Sequence, residues 1–212
     1  MAFLIVSALF AEKPSEKKVK EVSKYIGYTL SKDMEEAPGY YDKEALIEGI
    51  RAYSKGESVH IDEQEAQRLF LEAMDEISEK QAKENLDKAE CFLEHIAQKE
   101  AVIEVQKQRL YYKVKKEGDK TKPLKKEGAV TVHCMIQTLD GMVVLDTWKD
   151  EKPLELDFSD VIEGVSLGLE GASIGERRVL YIHPDLAYKK SATLVPPESL
   201  LIVDVETQAV TP

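Results

Sequence analysis

The strongest constraint on this chain is a stretch without helix breakers. From Asp62 onward, Ala66, Leu69, Phe70, Ala73, Ile77, Leu86, Ala89, Phe92, Leu93 and Ile96 recur at helical spacing, and no glycine or proline follows before Gly118. Asp62 and Glu65 open the pattern as an Asp-x-x-Glu variant of the capping box, and the β-branched Val102-Ile103 marks its end near Gln98. The spacing predicts one helix of roughly 35 residues, about 50 Å long at the standard rise. A small domain cannot enclose such a helix, and the two shorter helices upstream can cover only its first half. The first half is therefore expected to be part of a dimerisation module and the second half a rod holding the next domain at a distance. The alternative is a single helical bundle folded on itself.

Upstream, Val19, Val22, Ile26 and Leu30 recur between lysines and glutamates, which predicts an amphipathic helix from Ser15 to Lys32. Pro38-Gly39 breaks it, and Asp42 is placed to cap a second helix through Ala45, Leu46, Gly49, Ile50 and Tyr53 that stops at Lys55-Gly56. Residues 12–61 thus read as an N-terminal helical dimerisation module, and residues 62–102 as the long helix that completes it and links it to the next domain.

The first eleven residues, MAFLIVSALFA, form an apolar run too short to span a bilayer and similar to the core of an export signal. No basic segment precedes the run, so the alternatives are a start further upstream or an apolar tail that packs on a partner. Export to a bacterial periplasm or cell envelope is the expectation, with the cytoplasm as the location if the run is not a signal. No later stretch reads as membrane-spanning, so no integral membrane segment is expected in the mature chain.

Beyond residue 103 the period changes from helical to alternating. Val105, Leu110, Tyr112 and Val114 alternate with polar residues; after a Lys/Gly/Asp-rich turn, Val130, Val132, Cys134, Ile136 and Leu139 do the same. Asp140-Gly141 then predicts a hairpin into Met142–Leu145. Pro153–Phe158 reads as a short strand, 161–169 as a short helix, and 178–182 and 200–205 as buried strands. Residues 103–212 are therefore an α+β domain: an antiparallel sheet with one helix to cover it.

The charge of −11 over 212 residues is acidic in both halves, with 15 Lys/Arg against 23 Asp/Glu in residues 1–107 and 14 against 17 in the rest. This argues against a nucleic-acid partner. The four histidines, His60, His95, His133 and His183, are separate from one another and from any cysteine pair, so no metal site is expected. Cys91 and Cys134 fall in different segments and read as buried small hydrophobes rather than a disulfide. The Gly164–Gly175 text has no phosphate-cradle pattern, and no serine or cysteine sits in a nucleophile context. An enzyme built from this sequence needs neither cofactor nor nucleophile.

The C-terminal half carries an ordered motif set: V-x-V-H-C at Val130–Cys134, Asp140-Gly141, Pro153, V-I-E-G at Val161–Gly164, GLEGASIGE at Gly168–Glu176, HPDLAY at His183–Tyr188 and VPPESLLIVDVE at Val195–Glu206. In order and spacing this resembles the FKBP-type peptidyl-prolyl isomerases across residues 110–209. Ile26-Gly27-Tyr28, Ala45–Gly49, Phe92-Leu93 and Lys99–Val102 are similar to the N-terminal domain of the macrophage infectivity potentiator branch of that family. The resemblance implies a folding isomerase and chaperone acting on proline-containing polypeptides, without cofactor, and a homodimer joined through the N-terminal helices.

Rotation about an X-Pro bond meets a barrier of ~18–20 kcal/mol because the amide loses its resonance. A dry apolar pocket lowers it by favouring the twisted amide over the planar one. The resemblance assigns Tyr188 as the tyrosine whose hydroxyl bonds the substrate backbone, Val161 and Ile162 as the pocket floor, and Leu194 and Val195 as its wall. Four family aromatics are absent: Cys134, Val144, Val165 and Val203 stand in their places, and Leu156 stands for a fifth. Asp146 is the candidate rim acid beside Tyr188, although without gaps the family's aspartate aligns with Leu145, one residue earlier, a step that reverses the face of a strand unless a bulge compensates. Lys189 replaces the glycine that follows the tyrosine. Trp148, the sole tryptophan, either leans over the pocket or is structural. Two functional readings follow: an isomerase of weakened activity, or a non-catalytic FKBP-like binding module or dimeric chaperone.

Overall fold

The computed structural model describes residues 15–36, 42–57, 62–125, 128–189 and 195–211. The apolar run Met1–Ala11, His60 and Leu194 lie outside them. The chain divides into two units, residues 1–77 and 78–212, with the division inside a helix.

The first unit holds α1 (Glu16–Glu36), α2 (Lys43–Ser54) and the start of α3 (Glu63–Ala97). Asp42 caps α2 as its position predicts, its carboxylate accepting from the Ala45 amide at 2.8 Å. Asp62 likewise accepts from the amides of Gln64 (2.8 Å) and Glu65 (3.3 Å). The reciprocal half of that capping box is replaced, because the Glu65 carboxylate pairs with Arg68 at 2.6 and 2.8 Å. Within this unit the apolar face is left uncovered: Val19, Val22, Ile26 and Leu30 of α1, Ile50 and Tyr53 of α2, and Phe70 and Leu71 of α3 are all exposed.

The second unit takes the remainder of α3 together with the sheet. β1 (Ile103–Gln106), β2 (Leu110–Lys116), β4 (Ala129–Thr138), β5 (Val143–Asp146), β6 (Leu154–Asp157), β8 (Arg177–Ile182) and β9 (Leu201–Thr211) form one antiparallel sheet in the order β1-β2-β8-β9-β4-β5. β6 pairs with the other end of β4. β3 (Asp119–Pro123) and β7 (Ser173–Ile174) make a separate pair that the sequence did not announce. β3 is too lysine-rich to show alternation, and β7 is two residues long.

Alternation along β4 puts Val130, Val132 and Cys134 on one face, where they meet Leu180, Ile182, Leu201, Val203 and Val205 in the main core. α4 (Glu163–Leu169) covers this face. Its approach depends on glycine: a Cβ at Gly168 would lie 2.7 Å from Leu180 Cδ1, and one at Gly164 2.2 Å from Ile182 Cγ2. Buried Arg178 anchors the C-terminal end of α4, donating to the carbonyls of Gly168 (2.8 Å) and Glu170 (3.1 Å), pairing with buried Glu176 at 2.6 Å and lying over the Tyr112 ring. The guanidinium thus satisfies two carbonyls at the helix end, while those of Leu167 and Leu169 accept from the amides of Glu170 and Ala172.

The other face of the sheet is not left to solvent. Ala89, Leu93 and Ile96 of α3 pack on Tyr111 and Leu200, and the Phe92 ring tilts against Tyr181 with centroids 5.7 Å apart. The second half of α3 is therefore no bare rod: its apolar stripe belongs to the sheet unit. Cys91, expected to be buried, is exposed on this helix, while Cys134 is buried; both are free thiols.

Candidate active site

The sheet and α4 bring most of the pocket positions together. Cys134, Val165, Val195 and Val203 are buried in one cluster, and Val144, Leu145, Leu156, Val161 and Ile162 pack half-buried against it. β4 and β9 supply Cys134 and Val203, paired strands holding Ile136 opposite Val203. The turn before α4 supplies Val161 and Ile162. Glycines 164 and 168 and the Arg178 anchor fix that turn against β8, so the depth of the floor is set by backbone contact rather than by the floor residues themselves.

Tyr188 follows directly on a residue of the cluster. A 3₁₀ turn at Pro184–Leu186, capped by His183 Nδ1 accepting from the Asp185 amide at 3.1 Å, buries Leu186 and lays Ala187 on the cluster. Tyr188 follows, 37 % exposed. Lys189 then adopts φ +51°, a left-handed conformation that costs a non-glycine residue about 1 kcal/mol or more. The Lys189 carbonyl accepts from the Glu198 amide at 3.0 Å, which draws residues 195–200 beside the tyrosine.

The bulge sought beside Asp146 exists, but it serves a different residue. β4 and β5 are in register at Met135↔Asp146 and Ile136↔Leu145, then shift so that Gln137 faces Val143 and Val144 is extra. Val144 and Leu145 consequently both reach the cluster. Asp146 shares the face of Met135, away from Cys134 and Ile136. Its Oδ1 accepts from the amides of Trp148 (3.1 Å) and Lys149 (3.2 Å), so the expected rim acid is holding a turn. Thr147 locks the strand end in this orientation, since its amide donates to the Cys134 carbonyl at 2.9 Å and its Oγ1 accepts from the Cys134 amide at 2.8 Å. The Asp146 charge is still felt at Cys134, whose thiol pKa is pushed up to about 11, mainly by burial and secondarily by this carboxylate.

Trp148 does not line the cluster. Its ring stacks on His133 with centroids 6.0 Å apart, and the Arg177 guanidinium lies 4.4 Å from its centre. His133 and Arg177 both pair with Glu206, on the face opposite Cys134. Arg177 also grips buried Asp204 at 2.7 and 3.0 Å, joined by Lys115 at 2.7 Å.

Two lining positions escaped the sequence reading. Leu154 lies opposite Val132 and on the face of Leu156, but 37 % exposed, a rim position that period-two spacing along β6 predicts. Phe158, just past β6, packs half-buried on the cluster and is an aromatic retained nearby. Among the described residues no group of three or more His, Cys, Asp or Glu is placed to hold a metal ion, and no helix is long and apolar enough to cross a membrane.

Comparison with known proteins agrees with this geometry over both units. The family described as "FKBP-type peptidyl-prolyl cis-trans isomerase" matches residues 120–208, and "Domain amino terminal to FKBP-type peptidyl-prolyl isomerase" matches residues 19–114. The peptidyl-prolyl cis-trans isomerase Mip of Chlamydia trachomatis is 34 % identical over 188 residues, covering 88 % of this chain and 76 % of that protein. The FKBP-type peptidyl-prolyl cis-trans isomerase FkpA of Escherichia coli is 31 % identical over 178 residues, 81 % of this chain and 65 % of that one. The crystal structure of E. coli FkpA superposes with a TM-score of 0.71 at 25 % identity, covering 95 % of this chain and 99 % of that chain.

Proposed function

Because this chain belongs to the FKBP-type peptidyl-prolyl cis-trans isomerases, sharing the two-domain organisation of the Mip and FkpA proteins, we propose that it isomerises X-Pro bonds of polypeptide substrates with weakened activity. The observation that carries the reading is a continuous apolar cluster of Cys134, Val144, Leu145, Val161, Ile162 and Val195, with partly exposed Tyr188 directly after Ala187, which packs on it. A prolyl ring held on such a surface is kept from water, and the twisted amide, having lost resonance, is favoured over the planar one by differential binding. The tyrosine hydroxyl orients the peptide backbone.

The weakness follows from the walls. Each aromatic replaced by an aliphatic side chain forfeits on the order of 1 kcal/mol of contact with a bound ring. Several such positions lower affinity by orders of magnitude. The test is the rate of cis/trans exchange in a proline peptide, measured by NMR without a coupled protease. The wild-type chain should accelerate exchange above a Tyr188→Phe control, and equal rates for the two would reject catalysis.

A second reading, a binding module that holds clients without isomerising them, is favoured by the occupation of Asp146 in its turn and by the uncovered apolar faces of α1 and α2. Those same faces support a homodimer through the N-terminal helices, since exposed apolar stripes of this extent mark interfaces. Sedimentation of the full chain should give twice the monomer mass; a single-chain mass would remove the dimer. If Tyr188→Phe protects an unfolded client from aggregation as well as the wild type does, holding is independent of the pocket; lost protection counts against the second reading. The apolar Met1–Ala11 run supports export to the bacterial periplasm or cell envelope, which N-terminal sequencing of the protein from fractionated cells checks.

A further inference from the structure

The segment Val195–Leu200 forms one side of the proposed site, yet it is poorly able to hold itself. Pro196 and Pro197 have no amide hydrogens, so two of its donors are missing before any ladder can form. β9 begins only at Leu201. Besides the burial of Val195 at its start, three contacts hold the segment from outside. The Glu198 amide donates to the Lys189 carbonyl at 3.0 Å, and Leu200 is buried beneath α3 among Ala89, Leu93 and Ile96. The third comes from α3 itself: Asn85 Nδ2 donates to the Pro197 carbonyl at 2.8 Å and lies 3.5 Å from Ser199 Oγ.

Beside this contact is a cavity of about 220 Å³ lined by Asn85, Lys88, Thr138, Leu139, Asp140 and Ser199. On this side the segment borders open space at Ser199 rather than close packing, and the Asn85 hydrogen bond is the contact that reaches Pro197 across it. Two residues away, Val195 is buried in the cluster on which the prolyl ring is to lie. The backbone between them is stiff, because both prolines have fixed φ.

We infer that Asn85 is a positioning residue for the isomerase site: the long helix, through Asn85, latches the Pro-Pro segment and thereby sets the place of Val195. The inference rests on the proposed isomerase function for its catalytic consequence, but not for the latch itself. Asn85 touches no substrate.

The test uses the full chain and three variants. Asn85→Asp is isosteric and removes the donor; Asn85→Gln keeps a donor on a longer stem; Phe92→Ala weakens the same helix–sheet packing where its ring meets Tyr181 of β8. With a proline tetrapeptide, Asn85→Asp should raise KM about threefold to tenfold, the range expected for one lost hydrogen bond, with kcat within about twofold of wild type. Asn85→Gln should recover part of the change, and Phe92→Ala should lower the unfolding midpoint with KM unchanged. Hydrogen exchange of the Glu198 amide, read on the same samples, should quicken in Asn85→Asp by a similar factor and stay at the wild-type rate in Phe92→Ala. Unchanged KM and exchange in Asn85→Asp, or a KM rise of equal size in Phe92→Ala, would overturn the assignment. If the wild-type chain has no isomerase activity, the functional reading fails separately, and the exchange rate alone decides: faster in Asn85→Asp upholds the latch, unchanged rejects it.

Discussion

A methyl group added at Gly164 would lie 2.2 Å from Cγ2 of Ile182 and 3.1 Å from the carbonyl oxygen of Leu186. The first distance falls well over 1 Å short of an ordinary carbon–carbon contact. Ile182 is fully buried, so it cannot swing aside into solvent. Relief must come from an off-rotamer isoleucine, at about 0.5–1.5 kcal/mol, or from a shift of α4, at about 1–3 kcal/mol for overpacking. Alanine's better helix propensity opposes this by about 1 kcal/mol. A net destabilisation of up to about 2 kcal/mol is expected for Gly164→Ala.

Both sides of the clash belong to the site. α4 carries Val165 and directly follows the floor residues Val161 and Ile162, and the Leu186 carbonyl belongs to the turn that precedes Tyr188. Isomerase activity should therefore fall together with stability. Trp148, the only tryptophan, lies in the sheet unit, so urea unfolding followed by its fluorescence reports on this core. A double-mutant cycle with Ile182→Ala isolates the contact. Ile182→Ala alone should cost about 2–5 kcal/mol as a cavity, and the double variant should cost less than the sum by at least about 0.5 kcal/mol. Additive costs, or a Gly164→Ala variant as stable as the wild type, would refute the claim that backbone contact sets the depth of the floor.

Lys189→Gly should stabilise the sheet unit by up to about 1 kcal/mol, because φ +51° strains lysine and not glycine; a loss of stability in the same urea titration would show that the Lys189 side chain outweighs the strain. Asp204 is buried, which raises its pKa, but hydrogen bonds from Arg177 and Lys115 outweigh burial and hold it below the ordinary value near 3.9. Its contribution is thus present above the unfolded-state pKa and is lost as pH falls through the lower folded value. Asp204→Asn should accordingly destabilise at pH 7 and flatten the loss of stability below about pH 4; an unchanged acid limb would contradict this. Cys134, with its thiol pushed up to about 11, should resist a thiol reagent at pH 8 in the folded chain while exposed Cys91 reacts, so one fast equivalent is expected and two would count against the burial.

Much of the architecture is legible in the sequence because it is encoded locally. The cap at Asp42, the long periodic helix, the alternation of β4 and the Asp140-Gly141 hairpin each depend on a few neighbouring residues. The ordered motifs from Val130 to Glu206 picked out the candidate pocket positions, and most of the described ones, Tyr188 and Asp146 excepted, pack in one cluster. The glycines in V-I-E-G and GLEG carried a message that only distances could translate: they are contact points between α4 and β8. β3 stayed hidden because its lysines show no alternation, and β7 because two residues cannot.

In the sequence alone, periodicity determined which faces are apolar and where helices give way to strands, and the ordered motifs carried the resemblance to the family. Only the tertiary structure decided what covers those faces and which residues share a side. The second half of α3 was a stripe without a partner until Tyr111, Tyr181 and Leu200 were seen beneath it. Asp146 was one residue from the family position, and the extra residue at Val144 settled the matter by turning Leu145 inward and Asp146 to a turn. Strand register is the physical reason. A single inserted residue changes no local preference, yet it reverses every side chain beyond it, and the choice is made by contacts summed across the whole sheet.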